Sequence, residues 1–241
     1  YLAGCSILSM VALPRWAEEG GPEATLERLK DPSVRTRLED HFADPTHPMQ
    51  SLQIAFADSE EDRELEGLTV PEAAARRQQT VGTLICELLL RTRLRVSCVV
   101  HHTSRNETDV LALMQHPAHM GGSDGIYTGS RPHPRGYGAF ARYLELVHTR
   151  NVLPLEEMVR HLAWHPARRF HLRDRGEIAV GRFADLNLFD LAAIRSASAY
   201  GAPARLARGM DWVFVNGEPV LADGKPTGKR PGVAVRGPAF S

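Results

Sequence analysis

Through the middle of this chain, strand-like and helix-like segments take turns, and that alternation limits the fold more than any other feature. Leu52, Ile54 and Phe56 are spaced by polar or small residues, the period of a strand. Thr69 with Glu72 makes a capping box, with Pro71 in the first turn. The helix that follows sets Val81, Leu84, Ile85, Leu88 and Leu89 on one face, and Gly82 weakens it without ending it. Arg95 to His101 is short and β-rich, as a buried parallel strand should be. Ser104 with Glu107 is a second capping box, opening a helix with Val110, Leu111 and Met114 inward. A further short strand is expected to run into Gly121-Gly122-Ser123-Asp124-Gly125, followed by a Gly- and Pro-rich loop to about Gly138. Two helices come next, Ala139 to about Thr149 and Leu155 to about Phe170. Such alternation predicts an α/β fold, with parallel strands joined by crossover helices.

The flanks read differently. Residues 1 to 50 are loop and short helices, one of them opened by Asp31-Pro32 with Val34, Leu38 and Phe42 as its apolar stripe. Asp58 to Glu66 is an acidic, solvated loop ending at Gly67. Beyond Gly176 the texture turns to short strands and turns, with Asn216-Gly217 as a strong hairpin signal. The expected division is therefore residues 1–175 and a small C-terminal β subdomain of residues 176–241.

Composition narrows the partners. The 29 Lys and Arg balance the 29 Asp and Glu, which gives no electrostatic reason to expect nucleic acid or an anionic membrane. No apolar run approaches the ~20 residues of a membrane span. Cys5, Cys86 and Cys98 are an odd count without C-x-x-C, so neither a disulfide framework nor a thiolate zinc site is expected. Cys86 reads as a small buried hydrophobe, and the context as reducing and cytoplasmic. The opening, Tyr1-Leu2-Ala3-Gly4-Cys5, has neither an initiator Met nor the basic start of a signal peptide and reads as the continuation of a strand, hence a piece of a longer protein.

Asp124 leads the candidates for chemistry. A carboxylate at a strand end before a long loop is where parallel α/β barrels place catalytic groups, and it can take a proton from a metal-bound water and return it to a leaving amine. The same Gly-Ser-Asp-Gly composition also suits an Asx turn that caps its own loop. Arg135, stiffened by Pro132 and Pro134, is either presented to an anion such as a carboxylate or is a surface arginine. His161 and His165 have the spacing of a zinc-protease helix but lack its Glu, and read as structural or surface residues. His101-His102 and His116 with His119 lack a specific ligand spacing, and no glycine-rich nucleotide fingerprint is formed.

Taken together, Gly122-Ser123-Asp124-Gly125, Arg131-Pro132-His133-Pro134-Arg135 and Gly138-x-Phe140-x-Arg142 resemble the C-terminal half of D-aminoacylases, the N-acyl-D-amino-acid deacylases of the amidohydrolase superfamily. Gly176-x-Ile178-x-x-Gly181-x-x-Ala184-Asp185-Leu186 and Val213-x-Val215-Asn216-Gly217 resemble that superfamily's small β domain. The likeness runs from Tyr1 to about Gly237. It implies the later strands and helices of a metal-dependent-hydrolase (β/α)8 barrel, with an insertion, plus the small β subdomain. It implies a zinc enzyme, with one or two ions, that hydrolyses a small-molecule N-acyl-D-amino acid. Asp124 would then handle the proton of the zinc-activated water and, in some members, touch metal, while Arg135 would pair with the substrate's α-carboxylate. Cys5 stands where the family's Tyr-x-x-Gly-Ser/Thr segment carries a hydroxyl, and a thiol is the weaker donor. The family's His-x-His, its Cys and two later His ligands are expected before residue 1, so this piece alone should be inactive and should not retain zinc. The alternatives are a cyclic-amide hydrolase of dihydroorotase or hydantoinase type and a non-catalytic truncated barrel.

Overall fold

The computed structural model describes residues 1–44 and 47–235; the far end of the resemblance, about Gly237, lies outside them. The chain divides into two compact units. The first comprises Tyr1–Asn106, Gly125–His133 and Tyr200–Ala204, and the second Glu107–Asp124, Pro134–Ala199 and Arg205–Ser241, of which residues 236–241 are not described.

In the first unit, strand β1 (Gly4–Ile7) leads through helices α1 (Leu8–Ala12), α2 (Arg15–Glu18), α3 (Pro22–Lys30) and α4 (Pro32–Ala43) to strand β2 (Leu52–Ala57). Helices α5 (Val70–Arg77) and α6 (Val81–Arg91) then precede strand β3 (Val96–Val100). The Asp31 carboxylate accepts from the Ser33 amide as the cap of α4, and Leu38 and Phe42 are buried as the stripe predicted. Thr69 and Glu72 form the full reciprocal capping box of α5. Leu84, Ile85, Leu88 and Leu89 of α6 are buried in the same core as Leu52 and Ile54 of β2, each contributing about 1.5–3 kcal/mol of burial.

The sheet corrects the expectation of parallel strands. Its order is β1-β3-β2, and β3 runs antiparallel to both neighbours, with Gly4 opposite Val100 and Ala57 opposite Val96. The parallel reading assumed one crossover helix between β2 and β3. Instead Gln78, at φ 53°, ends α5 in a left-handed cap and Thr80 caps a new helix, so two helices intervene and the chain re-enters in the opposite sense. The alternation in β2 is also interrupted, because the register slips between Ile54 and Phe56. The acidic loop is not solvated throughout. Asp62 is fully buried, with Arg91 Nη2 at 2.8 Å and Nε at 3.0 Å and Arg77 Nη2 at 3.4 Å, because a carboxylate enters a core only when paired.

In the second unit, helices α7 (Glu107–Gln115) and α8 (Arg135–Arg150) precede a helical run made of α9 (Leu155–Val159), a π-helical turn over Arg160–Trp164, and α10 (His165–Arg169). Met114, Leu144, Val147, Met158 and Ile194 form its core. Helix α7 begins at Glu107, so Ser104 does not cap it, and the Glu107 carboxylate instead meets Arg150 at 2.9 Å. Strands β4 (Leu186–Phe189), β5 (Met210–Val215), β6 (Glu218–Ala222) and β7 (Lys225–Pro226) make an antiparallel meander in that order. Asn216 and Gly217 join β5 to β6 with φ of 51° and 82°, the signs that a two-residue hairpin turn needs.

Candidate active site

The segment that carries Asp124 is not a strand, contrary to expectation: residues 116–128 form no sheet pairing. Its backbone bonds go elsewhere. Pro117 has no N–H to give, and the Gly121 amide donates to the His161 carbonyl at 3.1 Å. A Cβ on Gly121 would lie 2.2 Å from the Leu162 side chain and 3.2 Å from Tyr143, so a larger residue here would have to push both aside for the segment to lie this close to the helical run.

Three residues later Asp124 adopts φ 43°, a left-handed backbone that is uncommon outside glycine. Its carboxylate is 82% exposed and its Oδ2 is 2.5 Å from Nη2 of Arg135, whose side chain is 18% exposed. Arg135 Nε also donates to the main-chain carbonyl of Asp124 at 2.9 Å. The first residue of α8 thus grips both the side chain and the backbone of the leading candidate. The two sequence candidates of this unit are brought together, in direct contact rather than facing one another across a cavity. Two cavities in this unit, of about 450 and 580 Å³, are lined by other residues, the first by Trp164, Arg168 and Arg175 among them, the second by Phe140, Leu162 and Met210.

Cys5 belongs to the other unit, half-buried on β1 opposite Val99. Its neighbour on β3, the Cys98 thiol, is pushed up to about 12 by burial and by Cys5. His133, which enters the sequence only as part of the Arg131–Arg135 motif, is buried with Nε2 3.1 Å from the Ala3 carbonyl. The Ala3 amide donates to the Tyr200 hydroxyl at 3.0 Å, and the Tyr200 ring meets those of His133 and His101 edge-on at 5.4 and 4.9 Å. No local pattern announces this cluster, because its members lie 130 and 197 positions apart.

His161 and His165 stack on the helical run, with ring centroids 5.1 Å apart. His161 is buried, with Nδ1 3.2 Å from His119 Nδ1 and Nε2 3.1 Å from Glu157 Oε1. Burial, and then the neighbouring His161 and His165, depress the His119 pKa. His101 turns to Gln53 Oε1 at 3.2 Å while His102 packs beside Gly4, the two faces expected of adjacent residues. Among the described residues no group of three or more His, Cys, Asp or Glu side chains is placed to hold a metal ion.

Comparison with known proteins gives this arrangement a lineage. The sequence matches the Amidohydrolase family over residues 7–221. It is 29% identical over 229 residues to the N-acyl-D-glutamate deacylase of Alcaligenes xylosoxydans xylosoxydans, covering 92% of this chain and 45% of the relative. It is 33% identical over 170 residues to the D-aminoacylase of the same organism, covering 70% of this chain and 34% of that protein. The crystal structure of the N-acyl-D-glutamate deacylase of Bordetella bronchiseptica, complexed with zinc and a phosphonate mimic of the tetrahedral intermediate, superposes with a TM-score of 0.67 and 26% identity, covering 94% of this chain and 40% of that one. The chain belongs to the amidohydrolase family, and its relatives are N-acyl-D-amino-acid deacylases. It spans less than half the length of the curated relatives it matches. No helix is long and apolar enough to cross a membrane among the described residues.

Proposed function

We propose that the enzyme carrying this segment hydrolyses the linear amide of an N-acyl-D-amino acid, releasing the D-amino acid and a carboxylic acid. The observation that carries this reading is the Asp124–Arg135 contact: an exposed acid on a strained loop, gripped by a largely covered guanidinium. Asp124 takes a proton from water as the water oxygen bonds to the acyl carbon, and returns it to the nitrogen as the C–N bond breaks. Arg135 binds the substrate's α-carboxylate, which orients the amide toward Asp124.

Zinc is held by the Bordetella relative. The described residues of this segment do not fit a zinc site, since they gather fewer than the roughly three protein ligands that such a site needs, and Asp124 faces an arginine. The ligands are therefore assigned to parts of the enzyme outside this segment, and this chain's own share is the proton and the carboxylate. In that enzyme we assign residues 1–175 to the later part of a (β/α)8 barrel with an insertion, and 176–241 to a small β domain supported by the β4–β7 meander. We place it in the cytoplasm, in keeping with three cysteines of which none is in a disulfide.

The test is hydrolysis of N-acetyl-D-glutamate, N-acetyl-D-aspartate and N-acetyl-D-leucine by the full-length enzyme, beside a hydantoin. Turnover of a linear substrate that Asp124→Ala abolishes supports the reading. Near-normal turnover by Asp124→Ala, or a preference for the cyclic amide, overturns it. The 241-residue segment alone is expected to show no turnover and less than stoichiometric zinc by elemental analysis.

A further inference from the structure

The contact that supports the functional reading also poses a chemical problem. An acid that is to accept a proton has one oxygen already engaged, with Arg135 Nη2 2.5 Å from Asp124 Oδ2 and Arg135 Nε holding the Asp124 carbonyl at 2.9 Å. That contact holds the carboxylate against Arg135, so it can turn to a water elsewhere only when the pair separates. The two partners are unequal: the Arg135 side chain is 18% exposed and the Asp124 side chain 82%. The cation is the fixed member and the anion the replaceable one. The left-handed backbone at Asp124, φ 43°, gives the loop a reason to move once the grip opens.

Resting on the deacylase reading, we infer that the Asp124–Arg135 pair is a latch: the substrate's own carboxylate takes over the guanidinium and thereby releases Asp124 to accept the proton of the attacking water. The substrate's carboxylate offers the forked donor a planar pair of oxygens, whereas Asp124 presents one carboxylate oxygen and its main-chain carbonyl. One positive charge cannot neutralise both at once, and two carboxylates held this close repel. A substrate with no carboxylate leaves the latch shut. The pair thus selects by activation as well as by binding, since the released base acts only in the transition state.

The experiment compares N-acetyl-D-alanine with N-ethylacetamide, the same amide without its carboxylate, on the full-length enzyme. Arg135→Ala should lose at least about tenfold in kcat/KM on N-acetyl-D-alanine. The same variant should gain about two- to fivefold on N-ethylacetamide, the size that an ion pair with an exposed acid allows. Formate, the missing piece, should raise N-ethylacetamide hydrolysis by the wild type by the same factor and leave Arg135→Ala unmoved. The wild-type half of that arm needs no variant to fold. A guanidinium that only binds substrate predicts neither gain. Turnover of N-acetyl-D-alanine without either gain on N-ethylacetamide overturns the latch alone. Absence of turnover on every N-acyl-D-amino acid overturns the deacylase reading, and the latch with it.

Discussion

Gly82 near the start of α6 should respond to alanine with a sign that depends on a residue 43 positions away. In an ordinary helix, Gly→Ala stabilises by about 1 kcal/mol, because alanine loses less backbone entropy. Here a Cβ at Gly82 would lie 2.5 Å from Glu39 Cδ and 2.7 Å from each of its oxygens. The end of a glutamate swings away easily, so the clash itself is cheap. What it costs is the cap. Glu39 accepts from the Thr83 amide at 2.8 Å, the Gly82 amide at 3.2 Å and the Thr83 hydroxyl at 3.1 Å, and also from the Thr80 hydroxyl. A carboxylate serving the first amides of a helix typically contributes about 1–2 kcal/mol, part of it from the dipole. The Thr80 side chain keeps a bond to the Thr83 amide at 3.2 Å, which holds the loss to that range. Gly82→Ala should therefore be neutral to destabilising by about 1 kcal/mol with Glu39 present, and stabilising by up to about 1 kcal/mol in a Glu39→Ala background. Urea unfolding of the wild type, both single variants and the double variant, followed by circular dichroism, gives the coupling directly. A Gly82→Ala that stabilises equally in both backgrounds would refute the reasoning, because the glycine would then not be making room for the carboxylate.

Thiol reactivity should rank by burial. Burial pushes Cys86 up to about 11 and Cys98 up to about 12, so at pH 8 about one Cys86 in a thousand is thiolate, and mass spectrometry after brief iodoacetamide treatment should find Cys5 labelled first. Acid should weaken the fold before the carboxylates titrate. Burial depresses His47, His101 and His119 below their usual 6.5, so the unfolded chain binds more protons than the native one as pH falls through that value. Their stabilising contribution is present at neutral pH and lost toward pH 5, and the urea midpoint should drop between pH 7.5 and 5.5. An unchanged midpoint would contradict those environments. Asp31 and Glu72, lowered by bonds to Ser33 and Thr69, act in a separate window below about pH 4.5.

Much of the local structure was legible because it is written in neighbouring residues. Thr69 and Glu72 needed only each other, Asp31 needed only Ser33, and Asn216-Gly217 needed only left-handed backbone, so each could be read without knowing what lay beside it. The apolar stripe of α6 is likewise a property of its own helix. The direction of β3 was not legible. It depends on whether one helix or two precede it, and that is decided by a single left-handed residue, Gln78, a residue type not reserved for such caps.

Residue types alone singled out the candidates, an acid at 124 and an arginine at 135, because proton transfer and carboxylate binding demand those groups wherever they lie. Only the tertiary structure decided that the two touch. The same holds for Asp62 in a core between two arginines, and for His133 beneath Tyr200. Charge pairing and close packing act through space, between residues that the chain keeps far apart, whereas capping and periodicity act within a turn or two of a single element.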